Sequence, residues 1–175
     1  MIWRKNYMSL QVRKINRAKW READIVNGAE IPADAITNCL KTQTNNLSVW
    51  KIKSEDEIEN AILAISSGSD KQYLESFDIV ILDSEYLEQK GIEFMVTEGN
   101  TAAKMPKDMH SNMVDLTYEK LGIIAYHIVE KFIEKKVLRY TLKKLKDILN
   151  NAINEKRVDI NILSENIKNK LHTND

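Results

Sequence analysis

The stretch FDIVIL, from Phe77 to Leu82, gives the most direct indication of the fold. Residues 79–82 are all apolar, and Ile79, Val80 and Ile81 are β-branched, with no polar residue alternating between them. An uninterrupted apolar run of this length is typical of a β-strand that is buried on both faces. The sequence therefore predicts a sheet in the interior of the protein, with helices packed on it.

Strand-like and helix-like segments alternate on both sides of this stretch. Leu10–Ile15 and Leu47–Ile52 precede it and Ile92–Thr97 follows it, and each shows the alternation of a half-buried strand. Segments with helical periodicity lie between these strands. The order β, α, β, α, β, α, β predicts an α/β or α+β fold, with a small four-stranded sheet that is parallel or mixed.

The remainder of the chain divides into a leader, a linker and a helical segment. Residues 1–9 are expected to form a disordered leader, and residues 10–98 to form the α/β domain. Residues 99–114 have little periodicity and are predicted to be a linker loop. Residues 115–175 contain three apolar stripes at helical spacing, which must be buried, so we expect three C-terminal helices packed on the same core. The stripes are Leu121, Ile124, Ile128 and Phe132; Leu142, Leu145, Leu149 and Ile153; and Leu163, Ile167 and Leu171.

The composition excludes several classes of protein. The 175 residues are 43% hydrophobic and 30% charged, with only 5 Gly and 2 Pro, which excludes collagen-like and disordered chains. The single cysteine, Cys39, cannot form an intrachain disulfide. No apolar run approaches the roughly 18 residues of a membrane span, and the N-terminus lacks the apolar region of a signal peptide. We therefore expect a cytoplasmic protein that is not bound to a membrane and, since no phosphate-binding glycine motif is present, has no cofactor.

The charges are unevenly distributed although the formal net charge is zero. Residues 4–21 contain seven cations and no acid, whereas residues 55–98 contain twelve acids and two lysines. The basic segment predicts contact with nucleic acid or a partner, but the alternative is a solvated strand whose tryptophan anchors the core. The acidic segment predicts contact with a basic partner, solvated helix faces, or ion pairs with the basic segments of the same chain. The candidate contact residues of the basic segment are Arg13, Arg17, Lys19, Trp20 and Arg21.

Two further sets of residues are candidates for metal chemistry. Asp78, Asp83 and Glu98 lie near the ends of predicted strands, where α/β proteins place catalytic carboxylates, although Asp83 also fits a helix cap. His127 and Glu130 are three residues apart on one predicted helix, which is the spacing of half a metal site. The alternative for His127 is a buried histidine with hydrogen-bond partners in the core.

No set of catalytic residues stands out, which favours a non-enzymatic protein that binds another protein or a second copy of itself. Abundant Lys, Asn and Ile resemble the composition of proteins from AT-rich bacterial or phage genomes. We therefore expect an accessory subunit, or an immunity or antitoxin-like component of a bacterial or phage system. Two alternatives remain: a nucleic-acid-binding module that uses the basic segment, and a small metal-dependent hydrolase or nuclease.

Overall fold

The computed structural model describes residues 9–68, 71–106 and 108–173, so residues 1–8 of the predicted leader lie outside the described residues. The strands in the described part of the chain are β1 (Leu10–Ile15), β2 (Leu47–Ile52), β3 (Phe77–Asp83), β4 (Glu93–Val96), β5 (His110–Val114) and β6 (Val137–Tyr140). The helices are α1 (Arg17–Trp20), α2 (Glu22–Ile25), α3 (Ala33–Cys39), α4 (Ile58–Ser66), α5 (Ser84–Gln89), α6 (Tyr118–Ile133), α7 (Leu142–Asn154) and α8 (Glu165–His172). Short 3-10 turns occur at Glu55–Glu57 and Ile160–Ile162.

The strands form one six-stranded sheet in the order β4-β5-β2-β1-β3-β6, and every neighbouring pair is antiparallel. The prediction of mixed α and β structure is confirmed, but the predicted sheet of four parallel or mixed strands differs from this sheet in number and direction. Helices α4, α5 and α6 do connect strands that run in the same direction, as the alternation suggested. However, strands of the opposite direction lie between the connected strands, so no two parallel strands in the described sheet are neighbours.

The two strands that the sequence did not reveal are β5 and β6. β5 lies inside the predicted linker, and its sequence HSNMV has one large apolar side chain that faces the core, Met113. β6 has only four residues and lies inside the predicted helical segment, where it pairs with β3. Strands as short as these are stabilised by their neighbours more than by an apolar pattern of their own.

Helices cover both faces of the sheet and create two apolar cores. One core contains Ile79 and Ile81 of β3 together with α4, α7 and α8. The other contains Val80 and Leu82 of β3 together with α1, α2, α3, α5 and α6. The prediction that FDIVIL is buried on both faces is therefore confirmed, and burying each such side chain stabilises the fold by about 1.5–3 kcal/mol.

The three predicted C-terminal helices are present as α6, α7 and α8, with β6 inserted between the first two. Within the described ranges, no helix has both the length and the hydropathy that are needed to cross a bilayer.

Candidate functional site

Trp20 lies in the core and not on a contact surface. Its side chain is completely buried, and its ring packs against Phe132 with the ring centroids 5.9 Å apart. Its indole Nε1–H donates a hydrogen bond to the Sγ atom of Cys39 at 3.3 Å. A buried indole cannot stack on a nucleic-acid base, so the role of Trp20 here is that of a core anchor.

The cations of the basic segment have different surroundings. Arg17 donates to Glu22 with 2.5 Å between Nε and Oε2, and Lys19 lies 3.4 Å from a carboxylate oxygen of Asp34. Arg21 is exposed between α1 and α2, with a left-handed φ of 48°. Within residues 9–21 the one aromatic residue is the buried Trp20, so no exposed aromatic ring accompanies these cations there.

Ion pairs join the acidic segment, residues 55–98, to the basic segment that precedes it and to cations that follow it in the sequence. Lys14 of β1 lies 3.4 Å from Glu75, and Arg139 of β6 donates to both carboxylate oxygens of Asp78 at 3.0 and 3.1 Å. Further pairs are Lys136 with Glu55, Lys131 with Asp83 and Arg157 with Glu59. Much of the charge segregation along the sequence is thus cancelled by pairing within the fold.

The three candidate catalytic carboxylates are separated. Asp78 and Asp83 lie towards opposite ends of β3, because Asp78 pairs with Ile15 and Asp83 pairs with Leu10. Glu98 follows β4, the edge strand at the far side of the sheet. Among the described residues, no group of three or more His, Cys, Asp or Glu side chains lies close enough to hold a metal ion. Asp78, Asp83 and Glu98 therefore do not form one site.

His127 and Glu130 contact each other, but the histidine has no nitrogen left for a metal. The His127 Nε2 atom accepts the backbone N–H of Asp83 at 3.2 Å, so the proton is on Nδ1, which donates to Glu130 at 2.9 Å. The ring stacks on Tyr86 with a centroid distance of 4.3 Å. Burial lowers the pKa of His127, against the opposing effect of its hydrogen bond to Glu130. His127 is therefore a neutral core histidine that attaches α6 to β3 and α5.

Lys131 attaches the same helix through charge. Its side chain is buried, and its Nζ atom lies 2.5 Å from Asp83 and 2.8 Å from Glu134. Burial acts to lower the pKa of Lys131, but the hydrogen bonds to Asp83 and Glu134 outweigh burial, and the pKa is raised. Together with the hydrogen bonds of His127, the Lys131–Asp83 ion pair holds the orientation of α6 on the sheet.

The opposite side of α6 carries three large apolar side chains that are exposed, together with Gly122 and Val129, which are partly buried. Tyr118, Tyr126 and Ile133 are 93%, 68% and 60% exposed. Gly122 and Val129 lie between them, and at 100° per residue all five fall within an arc of about 80°. A Cβ atom added at Gly122 would meet no atom within 4 Å, so the surface between the two tyrosines is open. We refer to these five residues as the outer stripe of α6.

Acidic residues border this stripe along one side. Glu119, Glu130 and Glu134 are exposed and occupy the next arc of about 60° on the helix. Helix α5 packs on this side through Tyr86, whose ring stacks on His127. The neighbouring cations are Lys131, which is buried and paired, and Lys90, which lies 5.7 Å from the Tyr86 ring centroid. We refer to Glu119, Glu130 and Glu134 as the acidic border.

The sequence analysis identified the inner side of α6 but not its outer stripe. The signal was nevertheless present, because Tyr118, Gly122 and Tyr126 recur every four residues and Ile133 follows two turns later. A helix with apolar residues on two sides, one of them exposed, has a surface that is suited to binding a partner.

No protein-family model, no curated protein and no solved structure matches this chain. The function must therefore be argued from the residues of the chain itself.

Proposed function

We propose that this protein is a non-enzymatic binding protein that contacts a partner protein through the outer stripe of α6. The observation that carries this proposal is the exposure of Tyr118, Tyr126 and Ile133 along one side of a single helix. A lone exposed apolar residue is ordinary, whereas a continuous apolar stripe marks a surface that another chain covers. A helix with such a stripe can pack against an amphipathic helix of another protein.

The acidic border indicates the chemistry of that partner. Its glutamates would attract lysines and arginines placed beside the apolar residues of the bound segment. We therefore propose a basic, amphipathic segment of another protein as the occupant. A second copy of this chain fits less well, because an antiparallel two-fold pairing of α6 would place the two acidic borders side by side.

This binding activity would suit an accessory subunit, or an immunity or antitoxin-like component of a bacterial or phage system. Such proteins act by occupying a surface of another protein, for which no catalytic residues are needed.

Selection of peptides from a randomised display library tests the proposal and does not require the partner to be identified first. Immobilised wild-type protein should select peptides with apolar residues every three or four positions and Lys or Arg between them. The selected peptides should bind Tyr126→Glu at least about tenfold more weakly, because the substitution places a charge in the apolar stripe. Their affinity should also fall as the salt concentration rises.

Tyr73→Glu is the matched control, because Tyr73 is similarly exposed but lies between α4 and β3. It should bind the selected peptides as the wild type does. Peptides that are acidic, or that bind Tyr126→Glu with unchanged affinity, would contradict the proposal. A dimer in analytical ultracentrifugation that Tyr126→Glu dissociates would identify a second copy as the occupant and would also contradict it.

A further inference from the structure

The sheet splits between its two central strands. β1 pairs with β3 along its whole length, from Leu10 to Ile15, but its pairing with β2 ends at Val12. Beyond that point, the side chain of Arg13 bridges from β1 to β2, because its Nη1 atom donates to the carbonyl oxygen of Ser48 at 2.7 Å. A side chain therefore replaces the backbone hydrogen bonds that would otherwise continue the ladder.

This split opens into a cleft of about 700 Å³, a volume that is ordinary for the binding site of a small molecule. The cleft is lined by β1, β2, β3, β6 and the end of α3, with Trp50 and His110 in one wall. Its polar lining includes Arg13, Asn16, Asn38, Ser48, Asp78 and Arg139. The sequence analysis identified Arg13 as a candidate contact residue, and in the folded protein its side chain lines this cleft.

The guanidinium group of Arg13 is held by backbone carbonyls. Besides the bond to Ser48, its Nη2 and Nε atoms donate to the carbonyl oxygen of Cys39 at 2.8 and 3.2 Å. These bonds use three of the five N–H donors of an arginine. Within residues 9–68, 71–106 and 108–173, the two remaining donors have no acceptor, and no carboxylate forms an ion pair with Arg13.

The other charged side chains of the cleft are paired with each other. Lys14 contacts Glu75, and Arg139 binds both carboxylate oxygens of Asp78. Arg13 is therefore the one cation of the described lining that has no counter-ion. Burial lowers its pKa to about 10, which still leaves the guanidinium charged at neutral pH.

We propose that this cleft binds a small organic anion, whose carboxylate or phosphate group accepts the two remaining N–H donors of Arg13. A charge-assisted hydrogen bond to an anionic oxygen is stronger than one to a neutral acceptor. The anion would also supply the counter-charge that the half-buried guanidinium lacks. The uncharged part of the ligand would occupy the cleft beside Trp50. This proposal concerns residues on β1 and β2 and does not depend on the α6 surface.

Nuclear magnetic resonance of the wild-type protein tests this proposal directly. Sodium phosphate and sodium acetate are titrated separately, at constant ionic strength maintained with sodium chloride. The expected result is a saturable shift of the Arg13 Nε–H signal with one of the two anions. The amide signals of Leu40 and Val49 should shift with it, because their peptide groups contain the carbonyls of Cys39 and Ser48. Saturation with phosphate indicates a phosphate ligand, and saturation with acetate indicates a carboxylate ligand.

Two variants localise the effect. Arg13→Gln should weaken binding of the anion by at least about tenfold, whereas Arg157→Gln, at an arginine outside the cleft that is paired with Glu59 and Glu155, should retain binding. Shifts that grow linearly with both anions, or that centre on residues outside the cleft, would overturn the proposal. The wild-type titration distinguishes these outcomes even if Arg13→Gln does not fold.

Discussion

The cleft beside β1 contains a half-buried cation and the inner side of α6 contains a buried one, and the two cations have different partners. Lys131 of α6 contacts Asp83 and Glu134, and these hydrogen bonds outweigh the effect of burial and raise its pKa. Arg13 contacts only backbone carbonyls, and burial lowers its pKa to about 10. The difference teaches that a cation with carboxylate partners stabilises the fold, whereas a cation without a counter-ion is free to bind an anionic ligand.

The largest expected effect comes from removing the two carboxylates that pair with Lys131, so that Lys131, like Arg13, has no counter-ion. The double variant Asp83→Asn, Glu134→Gln leaves a buried ammonium group without a carboxylate, and we expect it to lower the free energy of unfolding by about 3 kcal/mol. Urea denaturation followed by circular dichroism measures the loss. Glu119→Gln, an exposed position of the same helix, should change stability by less than about 0.5 kcal/mol. Equal losses in the two proteins would show that Lys131 does not need its carboxylates.

A smaller loss is expected when Arg13 is replaced. Arg13→Gln removes the donors that bind the carbonyl oxygens of Cys39 and Ser48, which should cost about 2 kcal/mol, since hydrogen bonds from a charged donor are lost. Lys14→Gln is the control, because the Lys14–Glu75 pair is exposed and should contribute about 0–1 kcal/mol. The same urea measurement compares them. If Arg13→Gln were as stable as the wild type, the guanidinium would not hold β1 and β2 in place.

A glycine beside the cleft residue Trp50 and a glycine on the outer stripe of α6 provide the next contrast. A Cβ atom added at Gly99 would lie 2.5 Å from the Trp50 ring, so Gly99→Ala should displace Trp50 and cost about 1–2 kcal/mol. Gly122→Ala, in the open outer stripe of α6, should instead stabilise the helix by up to about 1 kcal/mol. Thermal denaturation gives the two signs, and near-ultraviolet circular dichroism reports the movement of Trp50. Effects of the same sign would contradict the geometry of one of the two sites.

The smallest expected effect is a pH dependence carried by one histidine in each region. Burial is the main cause that lowers the pKa of both His110 and His127 below 6.5. The unfolded chain therefore binds more protons than the folded protein just below pH 6.5. Above that pH the two histidines do not reduce the free energy of unfolding. The free energy of unfolding falls as the pH is lowered towards the pKa values of the folded state.

Urea denaturation at about one pH unit above and below 6.5 measures this loss. His110→Gln and His127→Gln should each reduce the pH dependence. The charged groups that face His127 and influence its pKa are Asp83, Glu130 and Lys131. A variant that leaves the pH dependence unchanged would show that its histidine has the same pKa in both states.

Individual residues show how far the candidate sites could be predicted. Arg13 was identified as a contact residue from the charge pattern, but its partners Cys39 and Ser48 are 26 and 35 residues away in the sequence. Trp20 belongs to the same charge pattern, yet it is buried, and no local property of the sequence distinguishes it from an exposed tryptophan. The outer stripe of α6 was visible as periodicity, but only the packed fold shows which side of the helix remains exposed.

The sequence by itself determined that FDIVIL is a buried strand and that the C-terminal region contains three amphipathic helices. It could do so because apolar periodicity depends on neighbouring residues. The tertiary structure decided the antiparallel order of the strands, the addition of β5 and β6, and which charged groups find a counter-ion. These properties depend on residues that are far apart in the chain, and their energies arise only when packing brings the residues together.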